Sequence, residues 1–200
     1  MLLKNAFICT RPTETAFDSS RIFAMLYLKC TGEVQKAIGL RKVDLADATA
    51  STAVLGHWYV HRFSVGRTRC FLFMSEVTLL SFVLYQGRKP VNAQTLPQMF
   101  LTGLVQLLDF MGEDADTIAR ALHEYRQGLF SKTDSRKILG SMNDLVLCYC
   151  TMIEAQGGLA GCDLTGTIMK INDMPQRTLD WSTSRELSQN LLAAAPTRQR

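Results

Sequence analysis

The sequence contains few of the residues from which metal and disulfide sites are built. It has three histidines, and its six cysteines form no C-x-x-C pair. Zinc needs thiolates or imidazoles that converge at short spacings, so no metal site is predicted. Unpaired cysteines are typical of buried free thiols in a reducing compartment, which favours a cytoplasmic protein.

Known catalytic and nucleotide-binding signatures are also missing. The chain has no G-x-G-x-x-G, no G-x-x-x-x-G-K-[ST], no H-E-x-x-H and no G-x-S-x-G. No cofactor is therefore predicted, and the sequence leaves open whether the protein is an enzyme.

Long apolar runs and a strong excess of one charge are absent too. No run approaches about eighteen apolar residues, which predicts no membrane span. Lys4 and Asn5 interrupt the apolar start, which argues against a signal peptide. The net charge of +4 permits an anionic partner, but dedicated nucleic-acid domains usually carry a stronger and more clustered excess.

Apolar periodicity predicts strands in the first half of the chain and helices in the second. Strands are expected at 22–28, 57–65 and 69–74, the last two as a hairpin around Gly66 and Arg67, with a short helix at 31–38. The run 78–85 fits either a strand or a buried helix. Longer helices are expected at 96–111, 115–125 and 135–156, and a loose one at 185–194.

This order of elements predicts an α+β protein. A small antiparallel sheet, made of the N-terminal strand and the central hairpin, should pack against a C-terminal helical half. Three segments are expected: an irregular extension at 1–21, one α+β domain at 22–174 and a polar tail at 175–200.

The run from Phe130 to Asp144 places many polar groups at the start of the longest helix. Its apolar face is predicted to be core: Ile138, Leu139, Met142, Leu145, Val146, Tyr149, Met152 and Ile153. Opposite that face lies Gly140, which costs about 1 kcal/mol relative to alanine inside a helix. Its presence indicates close approach of a ligand or of another backbone.

Two interpretations of the polar edge are open. In the first, the helix start binds a ligand, because backbone N–H groups there favour anions. The candidate ligand-binding residues are Thr133, Arg136, Ser141, Asn143 and Asp144. In the second, Thr133 or Asp134 caps the helix, Asp144 pairs with Lys137 or Arg136, and Asn143 holds a loop.

The hairpin region 57–89 is basic, with five Lys or Arg residues against one Glu. Arg62, Arg67, Arg69 and Trp58 are candidates for nucleic-acid binding through backbone contacts and stacking. The alternative is a hairpin whose charged residues discourage edge-to-edge aggregation. His57 and His61 lie about 13 Å apart along a regular strand, too far to share a metal.

The segment from Lys132 to Asp144 resembles the hallmark K-T-N-N-R-S-V-L-G-S-M-N-D of a bacterial domain family of unknown function. Further matches occur in the first strand, in the hairpin, and at Gly157-Gly158-Leu159. Asp134 and Ser135 stand where the family has two asparagines, Tyr59 where it has histidine and His61 where it has asparagine. The resemblance implies a shared fold and a shared site around Arg136, Ser141, Asn143 and Asp144, but no reaction.

Three functions are compatible with these features. The leading hypothesis is a cytoplasmic binding module for an anionic ligand or nucleic acid, linked to mobile elements or defence. The second is an enzyme acting on a phosphate or acyl substrate, with Asp144 as base and Asn143 and Arg136 orienting the substrate. The third is a protein–protein adaptor.

Overall fold

The computed structural model describes residues 25–195, in which six strands form one mixed sheet of order β2-β6-β1-β3-β4-β5. The strands are β1 (Leu26–Cys30), β2 (Leu45–Ala46), β3 (Trp58–Val65), β4 (Thr68–Ser75), β5 (Ser81–Tyr85) and β6 (Gly128–Lys132). β1 pairs in parallel with β3 and β6, and β2 in parallel with β6, whereas β3, β4 and β5 are antiparallel. The predicted α+β class is confirmed. The sheet is larger than predicted, and it is mixed instead of antiparallel.

Six α-helices accompany the sheet in this part of the chain. They are α1 (Gly32–Ile38), α2 (Thr95–Phe110), α3 (Ala115–Glu124), α4 (Arg136–Ala155), α5 (Leu164–Asn172) and α6 (Ser184–Ala194). Asp114 caps α3, since its carboxylate accepts a hydrogen bond from the Thr117 amide at 2.8 Å. Gly157 follows α4 with a φ of 86°, a left-handed conformation that suits glycine and ends the helix.

Two buried layers cover the sheet, one on each face. Helices α1, α2 and α3 pack on the first face, where Trp58, Phe82 and Phe100 form an aromatic cluster. Helices α4 and α5 pack on the second face. The predicted core face of α4 is confirmed: Met142 and Tyr149 are buried there, and the other members of that face are buried or partly buried.

Strand alternation decides which face each side chain meets. In β1, Leu26, Leu28 and Cys30 join the first layer, so Lys29 points to the second. In β3, Trp58 and Val60 join the first layer and Tyr59 joins the second. Lys29 and Tyr59 are register partners and therefore lie side by side.

Helix α6 packs against the rest of the fold. The Ser188 hydroxyl donates to Thr78 Oγ1 at 2.8 Å, and Leu192 is buried in the first layer. These residues lie in the segment predicted as a polar tail. The predicted extension at 1–21 lies outside the described residues, and the domain boundaries stay a prediction.

Candidate functional site

A buried lysine marks the carboxyl end of β1. Lys29 is 6% exposed, and its Nζ lies 2.8 Å from Glu76 Oε2 and 2.8 Å from Asp134 Oδ2. A buried ammonium group needs such partners, because removing a charge from water is costly. We call Lys29, Tyr59, Glu76 and Asp134 the lysine cluster.

The sheet brings the members of the lysine cluster together from distant segments. Glu76 follows β4, and Asp134 lies between β6 and α4. Glu76 is held by the backbone of His57: its Oε1 accepts the His57 N–H at 2.9 Å, and its own N–H donates to the His57 carbonyl at 2.9 Å. The backbone of His57 thus fixes the orientation of the Glu76 carboxylate.

Tyr59 completes the cluster. Its hydroxyl donates to the second carboxylate oxygen of Asp134, and Lys29 Nζ lies 5.3 Å from the centre of its ring. That separation suits a cation–π contact. Both oxygens of Asp134 are therefore engaged, although half of its side chain (53%) remains exposed.

Within the cluster, the pKa values of Lys29 and Asp134 shift in the directions that keep both groups charged. Burial works to lower the pKa of Lys29, but hydrogen bonds to Asp134 and Glu76 raise it above its ordinary value. Burial works to raise the pKa of Asp134, but hydrogen bonds from Lys29 and Tyr59 lower it. Burial and the neighbouring Asp134 raise the pKa of Tyr59, so its hydroxyl remains a donor at neutral pH.

Beside the cluster, Thr31 Oγ1 and His61 Nδ1 lie 3.3 Å apart. Thr31 stands at the junction of β1 and α1, and His61 is the next residue of β3 on the same face as Tyr59. Burial lowers the pKa of His61, so the imidazole is neutral at pH 7. The pair adds uncharged polar groups next to the cluster.

Three basic side chains surround Asp134 in the sequence, and all three are exposed: Lys132, Arg136 and Lys137. Within residues 25–195, none of them forms an ion pair. The predicted cap at Thr133 or Asp134 was wrong, because Ser135 Oγ accepts the Ile138 N–H at 3.3 Å. Asp134 is engaged by Lys29 and Tyr59 instead.

The predicted ligand-binding residues fall into two groups along α4. Thr133 and Arg136 adjoin Asp134, whereas Asn143 and Asp144 are exposed about two turns further along the helix. Ser141 is half-buried between them. Among the described residues, Asp144 forms no ion pair with Lys137 or Arg136, so that predicted pairing is not formed.

Gly140 is exposed, and a Cβ added there would meet no heavy atom of the described residues within 4 Å, apart from its own chain neighbours and the helix backbone. No other part of the described fold therefore makes the close approach that was predicted for Gly140. Its surface is open to solvent along the same edge of α4 as Asn143.

The candidate nucleic-acid residues do not form one surface. Trp58 is fully buried, and its indole Nε1 donates to the Tyr125 hydroxyl at 3.2 Å, so its ring is unavailable for stacking on a base. Arg67 and Arg69 are exposed at the hairpin turn, where Arg69 donates to Ser64 Oγ. Arg62 is half-buried, and its Nε has no partner among the described residues.

Sequence reasoning did not identify the lysine cluster. One local signal was available, since Lys29 interrupts the buried run L-Y-L-K-C in β1. A charged residue inside a short apolar strand requires a partner, but the positions of Glu76 and Asp134 depend on the sheet. Among the described residues, no three His, Cys, Asp or Glu side chains converge as a metal site, and no helix is long and apolar enough to cross a bilayer.

These features define a layered α+β domain with a charged cluster at the carboxyl ends of the parallel strands β1 and β6. Ligands of open sheets often bind at such an edge. The profile of a family described as a domain of unknown function, DUF6933, matches residues 27–187, and the chain belongs to that family. Comparison with curated proteins and with solved structures gave no match.

Proposed function

We propose that the chain is a binding module that recognises an anionic ligand beside the amino end of α4. The observation that carries the proposal is the exposed group of Lys132, Arg136 and Lys137, which forms no ion pair within the described residues and flanks Asp134 of the lysine cluster in the sequence. Unpaired cations held near a fixed buried network are suited to binding a negatively charged group.

The local charge favours an anion. Lys132, Arg136 and Lys137 lie within three residues of Asp134 in the sequence, and with Lys29 they make four positive charges against the two carboxylates of Glu76 and Asp134, a net charge of +2. Glu33, whose charge acts on His61, reduces this excess to +1. The first N–H groups of α4 add a partial positive charge at the same point.

The lysine cluster has a positioning role in this proposal. Lys29 is buried and donates to two carboxylates, so in this proposal it holds Asp134 and the start of α4 in place and does not itself contact the ligand. Arg136, one of the residues predicted from sequence, supplies the planar pair of donors that phosphate and carboxylate groups accept.

The same observations favour a small anion over a nucleic acid. Because Trp58 is buried, its ring cannot provide the stacking contact that single-stranded nucleic acid requires. Arg67 and Arg69 lie beyond the level of β1, at the far end of the hairpin. A catalytic role for Asp144 has no support from the hairpin, since the Tyr59 hydroxyl donates to Asp134 and not to Asp144.

A cytoplasmic setting remains part of the proposal. Five cysteines of the described residues are free thiols, and Cys30 and Cys70 are buried. Such thiols persist in a reducing compartment. A link to mobile elements or defence also stays a proposal.

The proposal is tested by calorimetric titration of the full chain at low salt with inorganic phosphate, adenosine triphosphate and a short single-stranded DNA. We expect binding of at least one phosphate compound, with affinity that falls as salt is added. Replacing Arg136 and Lys137 together by Ala should weaken it by about tenfold or more.

Lys170→Ala is the matched control, because Lys170 is an exposed lysine on α5. It should leave the affinity unchanged. Absence of binding by all three probes at low salt, or equal loss in the control and the double variant, would refute the proposal. Tighter binding of DNA than of adenosine triphosphate would favour the nucleic-acid function instead.

A further inference from the structure

The two ring nitrogens of His61 have different surroundings. Nδ1 lies 3.3 Å from Thr31 Oγ1, whereas Nε2 has no hydrogen-bond partner among the described residues. In the buried and half-buried residues of this part of the chain, Arg62 Nε is the one side-chain nitrogen or oxygen that is both fully buried and unpaired. His61 is half-buried, so its unpaired Nε2 reaches solvent and can bind a ligand.

The sheet fixes the imidazole in this position. The Thr31 N–H donates to the Val60 carbonyl at 3.1 Å, which carries the pairing of β1 with β3 up to the level of His61. Thr31 also precedes α1, but its side chain forms no capping hydrogen bond with that helix. The hydroxyl is therefore left to contact His61.

A carboxylate lies close to the same ring. Glu33, in the first turn of α1, is exposed and forms no ion pair or side-chain hydrogen bond within the described residues. Burial lowers the pKa of His61, and the negative charge of Glu33 opposes that shift, so the carboxylate acts on the imidazole at short range.

These groups are suited to the hydroxyl groups of a ligand. Nε2 of a neutral imidazole is a donor in one tautomer and an acceptor in the other. A hydroxyl group both donates and accepts, so it can bond to Nε2 of His61 in either tautomer. The carboxylate of Glu33 accepts the proton of a second hydroxyl, and neighbouring hydroxyl groups are characteristic of sugars.

The anion site lies near this pair of groups. His61 follows Tyr59 by two residues on the same face of β3, a distance of about 6.6 Å along the strand. The Tyr59 hydroxyl donates to Asp134, which precedes Arg136 by two positions. A small ligand with a phosphate at one end and hydroxyl groups at the other matches this succession of groups.

We propose that the anion recognised beside the amino end of α4 is the phosphate of a phosphorylated sugar, whose hydroxyl groups bind His61 and Glu33. Thr31 is a positioning residue that holds the imidazole through Nδ1. The inference rests on the proposed function, in which Arg136 and Lys137 bind the anion, and it adds the class of ligand and a second set of contacts.

The test compares inorganic phosphate with ribose 5-phosphate by calorimetric titration of the full chain at low salt. We expect ribose 5-phosphate to bind about tenfold more tightly. His61→Phe keeps a planar ring and removes both nitrogens, so it should bring the ratio of the two affinities close to one. Glu33→Ala should lower that ratio about threefold or more. The ratio isolates the hydroxyl contacts, because a change in the local charge affects both compounds.

His123→Phe is the matched control, because His123 is an exposed histidine on α3, which packs on the other face of the sheet. It should leave both affinities unchanged. Adenosine monophosphate distinguishes the two sources of a ribose phosphate. Binding at least as tight as that of ribose 5-phosphate supports a nucleotide, and weaker binding supports a free sugar phosphate.

The outcomes separate this inference from the proposed function. If inorganic phosphate binds and ribose 5-phosphate binds no more tightly, the sugar site is overturned while the anion site stands. A ratio that both His61→Phe and Glu33→Ala leave unchanged overturns it equally. Absence of binding by either compound refutes both. Should His61→Phe lower the melting temperature too far for titration, the exposed Glu33→Ala variant decides.

Discussion

Lys29 and Asp134 are 105 residues apart in the sequence, yet Lys29 Nζ lies 2.8 Å from Asp134 Oδ2. The contact joins the end of an inner strand to the segment that begins the longest helix. It fixes the position of the α4 start relative to the sheet.

Replacing Lys29 by Met should destabilise the protein strongly. The apolar side chain leaves the carboxylates of Glu76 and Asp134 close together without their shared cation. Removing one partner of a buried ion pair lowers the free energy of unfolding by about 3–5 kcal/mol. Because Asp134 is partly exposed, we expect a loss near the lower end of this range. Urea unfolding measures the change. Lys170→Met should change the free energy of unfolding by less than about 0.5 kcal/mol, and a similar small effect for Lys29→Met would contradict the prediction.

Acid should weaken the fold partly through Asp134. The pKa of this carboxyl lies below its ordinary value of about 3.9, so its stabilising effect is present above that value and is lost as the pH falls through the lower, folded pKa. Asp134→Asn should therefore lower the melting temperature at pH 7. Below about pH 4, the melting temperature of the variant should fall less steeply with pH than that of the wild type. Asp47→Asn, at an exposed position, is the control. Equal acid slopes in wild type and Asp134→Asn would count against this role.

Tyr125→Phe should leave two buried groups without a partner. The Tyr125 hydroxyl accepts from Trp58 Nε1 at 3.2 Å and donates to the Gly56 carbonyl at 3.1 Å. An unsatisfied buried polar group costs about 1–3 kcal/mol, and a fall of that size is expected in urea unfolding. Tyr85→Phe removes the hydroxyl of an exposed tyrosine and should be nearly neutral. A neutral Tyr125→Phe would show that the two groups find other partners.

Gly140→Ala should stabilise the protein and weaken ligand binding. Within a helix, alanine is more favourable than glycine by up to about 1 kcal/mol of folding free energy. Nothing in the described structure obstructs the added methyl group. Gly161→Ala is the opposing control, because its Cβ would lie 2.6 Å from the Gln156 carbonyl oxygen, so it should be destabilising. Unfolding and binding are measured on the same samples. If Gly140→Ala increases stability and leaves anion affinity unchanged, this surface is not part of the site.

Much of the fold could be predicted from local patterns. The hairpin was predicted from aromatic and β-branched residues on both sides of Gly66, and the core face of α4 from its helical spacing. The strand β6 was missed because five residues that pair in parallel with a distant strand carry no turn signal of their own. Helix α5 was missed because nine residues that include glycine and two threonines have low helix propensity.

The candidate site was only partly predictable. The hallmark segment pointed to the start of α4, and Arg136 lies there. Lys29, Glu76 and Asp134 share no local spacing, because pairing between strands brings them together. Trp58 was expected on the surface, but a strand covered on both faces offers no solvent-facing side for its ring.

The position of β1 between β3 and β6 has a consequence for the protein during synthesis. At about 5–20 residues per second, the ribosome adds Asp134 roughly 5–20 s after Lys29. Throughout that interval the nascent chain contains β1 with at least one edge unpaired, and Lys29 lacks at least one of its two carboxylates. Such an edge is open to other nascent chains, so β6 is the element whose arrival ends the period of greatest exposure to aggregation.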